Sequence, residues 1–433
     1  MPFTKTTTKG VGKRGAHFKA GSTDRNDAGR CGSNAGNLSK ADEQMLEESK
    51  AMLAPALQSD AAEGSSSTGA SGAAEREQPH GQKRKRADSE EEHDGADNAA
   101  LRNEADAHFT QGFALYEKGD TDGAIESHKR ALSVDPEYAN AHYGLAAALS
   151  EKGDLDGAIV SYKRAISLDP KYADAHFMLG VAQHNKGDLD CAIASFQQAI
   201  SLDPNHAEYH YNLGVALCPS FPAIASFKRA ISLDPKYADA HYGLGLALSY
   251  NGDLDGGNAS YNQTLSLDPK NAGAHYSLGV LLLNEGDLGG GIASLKRAIS
   301  LDPNVADYHY EMGAVLHSLE DNNGAIASFE RALSLDPMHV MAHLNRGAVL
   351  VFKGEFDGAI ASFKRVLSLD PMHVLAHFNL GVAQHNKGDL DCAIASWKQA
   401  LSLDPKHDLS LAALSRASEP PAIDQSEAAV RSR

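Results

Sequence analysis

The chain has 433 residues, a formal net charge of -17 and an apolar content of 42%, which suits two or three ordinary domains or one long array. No run approaches the ~18 apolar residues of a membrane span, and the start lacks a secretory signal's apolar core, so a soluble intracellular protein is expected. Residues 1–100 hold 14 Lys/Arg against 16 Asp/Glu, leaving -15 on residues 101–433; so acidic a body repels phosphate backbones, and argues against nucleic-acid binding there.

In chain order, residues 1–100 come first and are predicted to be disordered. Gly, Ser, Ala and charge dominate them, with few large apolar side chains to offset the entropy of ordering. The stretch SKADEQMLEESKAMLAPAL (39–57) has Met and Leu near helical spacing, enough for a short transient helix that is marginal alone. Further on, KRKRADSEEE sets Lys83, Arg84, Lys85 and Arg86 in a row. Such a cluster suits the acidic groove of an import receptor, which predicts a nuclear or nucleo-cytoplasmic protein; a solvated charge run is the plainer reading. Ser89, followed by three Glu, has the form of an acidic-directed phosphorylation site.

From about residue 105 a repeat takes over. An Asp-Pro pair recurs at Pro136, Pro170, Pro204, Pro235, Pro269, Pro303, Pro337, Pro371 and Pro405, spaced by 34 residues except once, by 31. In the unit 139–172, Leu145, Ala146 and Leu149 share one helical face and Ala158, Tyr162 and Ala165 share another. Between them Gly153 can stop the first helix in a left-handed conformation and Asp154 can cap the second, which ends near Asp169, ahead of Pro170. Each unit is therefore a helix-turn-helix pair.

This pattern resembles the tetratricopeptide repeat (TPR) family. With the Pro at position 32 there are nine units: 105–138, 139–172, 173–206, 207–237, 238–271, 272–305, 306–339, 340–373 and 374–407. Family positions 7 and 8 are filled by Leu179-Gly180, Leu213-Gly214, Leu244-Gly245, Leu278-Gly279 and Leu380-Gly381, and the small position 20 by Ala124, Ala158, Ala192, Ala223, Ala325, Ala359 and Ala393. The resemblance implies an all-α fold, a right-handed α-solenoid of nine repeats at 105–407. Residues 408–417, with Leu409, Leu411 and Leu414, continue the first-helix pattern and are expected to form a capping helix, with 418–433 expected as a disordered tail. Gly257 and Gly291 replace Ala at position 20, and GDLGGGIAS (286–294) puts three glycines in one helix start. At about 1 kcal/mol each, they predict that repeats four to six are the softest. In repeat four CPSFP replaces HNKGDLDC; both helices should survive, the first shortened by Pro219 and the second starting around Pro222.

In the TPR family the first helices line a concave surface. Position 5 here reads Phe109, Tyr143, Phe177, Tyr211, Tyr242, Tyr276, Tyr310, Leu344 and Phe378; position 2 reads Asp106, Asn140, Asp174, Glu208, Asp239, Gly273, Asp307, Met341 and Leu375. Two readings stand: position 5 packs within each unit and position 2 is a solvated helix start, or the two form a groove for basic, apolar protein or peptide segments. The groove, on this reading, is acidic along an edge and purely apolar in the last two repeats.

Sharper chemistries find little support. His fills position 4 in all nine units (His108, His142, His176, His210, His241, His275, His309, His343, His377). Equivalent helices of stacked units stand roughly 10 Å apart and Zn–N bonds need about 2 Å, so a packed, hydrogen-bonded His is expected rather than a metal ladder. Cys191 and Cys392 share position 19 of units whose stretches 171–204 and 372–405 match at 26 of 34 places, so duplication explains both. With Cys31 and Cys218 they fit neither a disulfide framework nor a close-spaced zinc site. No phosphate loop, nucleophile-base set or HExxH helix occurs, so no catalytic residue, metal or cofactor is predicted.

Chaperone-binding TPR domains hold a terminal carboxylate with Lys and Asn; the matching positions here are Phe109, Phe113, Gly144, Asp174 and Met178, which make no such clamp. The array is more similar to that of O-GlcNAc transferase-type proteins, which line the lumen with Asn at position 6. Only Asn212, Asn345 and Asn379 repeat that feature, and a catalytic domain is not expected in the 26 residues after the ninth unit. The expectation is a non-catalytic interaction scaffold or adaptor without nucleic-acid or membrane contact; the alternative is the substrate-recruiting subunit of a glycosyltransferase or other enzyme complex.

Overall fold

A computed structural model describes residues 87–418, with side chains from residue 101. The segments 1–86 and 419–433, including the basic cluster Lys83–Arg86 and the expected tails, lie outside the described residues, as does the side chain of Ser89. All regular structure among the described residues is α-helical.

The chain divides into two compact units, meeting between Ser260 and Tyr261. The first holds α1 (Ala87–Glu117), α2 (Thr121–Val134), α3 (Ala139–Glu151), α4 (Leu155–Leu168), α5 (Ala173–Lys186), α6 (Leu189–Leu202), α7 (Ala207–Leu217), α8 (Phe221–Leu233), α9 (Ala238–Tyr250) and the start of α10 (Leu254–Leu267). The second holds the rest of α10, α11 (Ala272–Asn284), α12 (Leu288–Leu301), α13 (Ala306–Ser318), α14 (Asn322–Leu335), α15 (Val340–Phe352), α16 (Phe356–Leu369), α17 (Val374–Lys387), α18 (Leu390–Leu403) and α19 (Asp408–Ser418). Within each unit, helices pack pairwise in chain order and each second helix packs on the next first helix. α1 begins at Ala87, upstream of the boundary near residue 100 that composition suggests.

Local chemistry sets the boundaries. Gly153, at φ +86°, ends the turn after α3, and the Asp154 carboxylate accepts the Gly157 N–H at 2.9 Å to cap α4. The same cap recurs at Asp120, Asp253, Asp287 and Asp321. At the other end Asp169 N–H closes onto the Ala165 carbonyl, while the Asp169 carboxylate accepts the Lys171 N–H at 3.0 Å, an Asx turn that carries the chain past Pro170. These pairings satisfy groups that helix ends otherwise leave unbonded.

The core follows the same period. Ala158, Tyr162 and Ala165 are fully buried, as are Ala146 and Phe196 nearby. Several large side chains at position 24 lie against glycine: a Cβ on Gly180 would stand 2.7 Å from the Phe196 ring, and one on Gly347 would stand 2.6 Å from Phe363. The Leu-Gly signature therefore makes room for a ring whose burial contributes ~1.5–3 kcal/mol. In α19 the inward residue is Ser410, bonded to His407, while Leu409 and Leu411 face outward and Leu414 is half-buried. α19 packs on α18 with Ser410 facing in, and the outer leucines expected of a cap do not make that contact.

Repeat four keeps both helices. α7 stops at Leu217 after 11 residues, Cys218-Pro219 is a cis peptide, and Pro222 sits in the first turn of α8. Cys218 packs beside Tyr211 and Val215 over the Ala223–Phe227 core, and Asn251 donates to the Pro219 carbonyl at 3.1 Å.

Candidate functional site: the first-helix face

The expected histidines have one structural role. Nε2 of His142, His176, His210, His241, His275, His309, His343 and His377 lies 2.9–3.2 Å from the carbonyl of the Pro six residues earlier. A carbonyl only accepts, so Nε2 donates. Burial lowers the basicity of His210 and His343, opposed by this bond. Among the described residues, no three His, Cys, Asp or Glu converge to hold a metal ion, and no helix is long and apolar enough to cross a membrane.

The position 5 rings are only partly open. Tyr143 packs edge-on against Tyr162 at 5.7 Å and stacks on Tyr172 at 5.0 Å. Phe177 meets Phe196 and Tyr209, Tyr211 meets Phe227 and Tyr237, and Phe109 meets His128 and Tyr138. In the second unit Tyr276 packs on Tyr308, Tyr310 on Phe329 and His339, and Phe378 on His407. Tyr242 is half-buried and Leu344 buried. Burial pushes the Tyr143 and Tyr211 hydroxyls well above the usual range, keeping them neutral. Phe109, Tyr143, Phe177, Tyr211 and Tyr310 thus each pack against the position 24 ring of their own repeat and against a ring near the start of the next. The residues at position 34, among them Tyr138, Tyr172, Tyr237, His339 and His407, complete these stacks; their recurrence beside the Asp-Pro pairs was the signal that could have revealed them.

The position 2 carboxylates are tied in as well. Asp106 accepts the Tyr138 hydroxyl at 2.6 Å, Asp174 accepts the Tyr209 hydroxyl, and Asp307 meets His339 Nε2 at 3.2 Å. Burial, then the Asp106 bond, pushes the Tyr138 hydroxyl up to about 12. Glu208 is half-buried and Asp239 exposed. One turn beyond Asp307, Glu311 has its carboxyl pushed up by burial and then by Asp307, against the pull of His339. Of the position 6 asparagines, Asn345 donates to the Tyr310 hydroxyl at 3.2 Å and Asn212 to the Glu208 carbonyl. Asp174, Glu208 and Asp239 occupy equivalent places on α5, α7 and α9.

In the last two repeats the position 2 places of the same face carry no charge. Met341 and Leu375 replace the carboxylates, and Phe352 at the end of α15 is 74% exposed.

Such repeated helix pairs, with ring stacks between repeats, define a helical-repeat protein. Models described as TPR repeat match residues 112–153, 148–187, 184–218, 223–252 and 349–388, and models described as tetratricopeptide repeat match 244–306, 306–339 and 374–407. The chain belongs to the tetratricopeptide repeat family. Among solved structures it is similar to YrrB, a TPR protein with an unusual peptide-binding site, at 27% identity over 44% of this chain and 97% of that one, with a TM-score of 0.40. It is also similar to MamA, at 29% identity over 38% of this chain and 96% of that one (TM-score 0.36), and to the APC/C hetero-tetramer Cut9-Hcn1, at 18% identity over 69% and 60% (TM-score 0.48). The search of curated proteins found no match.

Proposed function

We propose that the chain is a non-catalytic scaffold or adaptor that captures segments of partner proteins along its first-helix face, with a preference for basic, apolar segments. The observation that carries this is the recurrence of Asp174, Glu208 and Asp239 at equivalent places at the starts of α5, α7 and α9, each three residues before an aromatic (Phe177, Tyr211, Tyr242), in a stretch where residues 105–339 hold 30 Asp/Glu against 15 Lys/Arg. Such a surface attracts cations and offers apolar contact beside them. Family membership supports the coarse reading; the preference rests on charge and placement. Within it, Lys83–Arg86 acts as a nuclear import signal and Ser89 as a phosphorylation site.

Affinity purification of the Asp174→Lys, Glu208→Lys, Asp239→Lys variant, with unchanged helicity as control, tests it. Partner capture should fall steeply, and undiminished capture would sink the proposal. A catalytic subunit recovered stoichiometrically with the wild-type chain would make it a recruiting arm instead. For the import signal, residues 75–95 fused to a neutral reporter should concentrate it in the nucleus.

A further inference from the structure

We propose that α19 is a self-association surface through which two copies of this chain pair as antiparallel helices, with Ala412 beside the two-fold axis and Asp408 of each copy against Arg416 of the other. In the second unit every first helix before α19 is followed by a second helix that packs on it; α19 packs on α18, and among the described residues no second helix follows it. Ser410 is fully buried on the inner side. The outer face is the line Asp408, Ala412 and Arg416, at the i, i+4, i+8 spacing, with Leu409 on one flank and Leu411 and Ser415 on the other, and all six are exposed. Leu409 and Leu411 are 56% and 45% exposed. The terminal helix of a repeat array stays soluble through a polar outer face, and two exposed leucines depart from that rule.

Charge decides that the occupant is a second copy. Asp408 opens α19, Arg416 lies in its last turn, and neither makes an ion pair among the described residues. Eight residues separate them, about 12 Å along the helix. A helix with a carboxylate at its start and a guanidinium at its end matches its own reverse. Turned antiparallel, each carboxylate meets the other copy's guanidinium and the two helix dipoles attract, whereas a parallel copy sets like charges side by side. Ala412 at the crossing lets the backbones approach. Leu411, one residue away, stands within about 3 Å along the axis of the same residue in the other copy, so the two leucines cover each other. The wider charge distribution agrees: residues 340–418 hold seven Asp/Glu against eight Lys/Arg, whereas residues 105–339 hold 30 against 15. An equally acidic second copy is repelled along the first seven repeats and not here. Leu375, 48% exposed, holds the place on α17 that Leu409 holds on α19, so the apolar surface continues onto the neighbouring repeat. Two 11-residue helices bury less than a standard interface, which sets the affinity in the micromolar range or weaker.

Sedimentation equilibrium of the full chain from about 1 to 200 μM should show a reversible equilibrium between monomer and dimer. Asp408→Arg and Arg416→Asp should each weaken it about tenfold or more, because the two-fold axis doubles every reversed pair. Mixed one to one, the two variants should regain dimer, since only the mixed pair restores both contacts between carboxylate and guanidinium. A photo-reactive leucine analogue in place of Leu411 reads the occupant without altering charge: in isotopically mixed chains it should link α19 of one copy to α19 of another. A chain that stays monomeric at about 200 μM, association indifferent to the charge reversals, or a mixture no more associated than its parts would overturn the proposal. So would cross-links confined to one copy or made only to other segments.

Discussion

His142 Nε2 donates to the carbonyl of Pro136 at 3.1 Å, so the Asp-Pro turn that ends one repeat is held by the first helix of the next. His176→Ala should cost about 0.5–1.5 kcal/mol by leaving one carbonyl less well paired. Denaturant unfolding checks it, and an unchanged midpoint would show that water replaces the imidazole fully.

His128 behaves differently. It is buried between Gly112 and Gly144, its Nδ1 lacks a partner, and burial lowers its pKa from 6.5 to about 4. The folded value lies below the unfolded one, so protonation favours unfolding. Its destabilisation is absent above about pH 6.5 and grows to roughly 3 kcal/mol as pH falls through 4. Amide protection factors in 105–138, corrected for the intrinsic pH dependence of exchange, should fall across that window. His128→Phe, which reproduces the Phe227 packing between Gly214 and Gly243, should flatten the effect.

Glycines split into two kinds. A Cβ on Gly291 would lie 2.6 Å from Leu283 Cγ, whereas one on Gly289 meets nothing closer than 3.6 Å. Gly291→Ala should therefore destabilise by about 1–3 kcal/mol despite better helix propensity, and Gly289→Ala should stabilise by up to ~1 kcal/mol. Thermal melts of the two variants should move in opposite directions.

Glu320 adopts φ +63° at the position where seven other repeats place a positive-φ Gly. Glu320→Gly should raise stability by about 1 kcal/mol by removing the left-handed Cβ penalty. A lower melting temperature would mean that the Glu side chain contributes more than the backbone strain costs.

Trp397, the single tryptophan, is buried against Gly381 and donates to the Phe378 carbonyl at 3.2 Å. Its fluorescence should be blue-shifted and should report the ninth repeat. In a nearest-neighbour array that transition can separate from the far-UV circular dichroism transition; coincident curves would mean that the array unfolds as one cooperative block.

The period, helix pairs, turns and caps were legible in the sequence because they depend on residues within a few places of each other: Gly153 beside Asp154, Asp169 before Pro170. The candidate face was half legible. Helical spacing placed Tyr143, Asp174 and Met341 on the first helices, but not what they touch. Tyr143 meets Tyr162 and Tyr172, 19 and 29 residues away, and Asp174 meets Tyr209, 35 residues away. Within the repeats, the sequence by itself thus determined which residues are helical, where each helix stops and the fold family, since local backbone preference repeats with the period, whereas the start of α1 at Ala87 lies outside that period. Only the tertiary structure decided that the aromatic ladder is largely internal, that Gly291 makes room for Leu283, and that Phe352 is left uncovered. Those outcomes depend on distances between packed helices, which no local pattern contains.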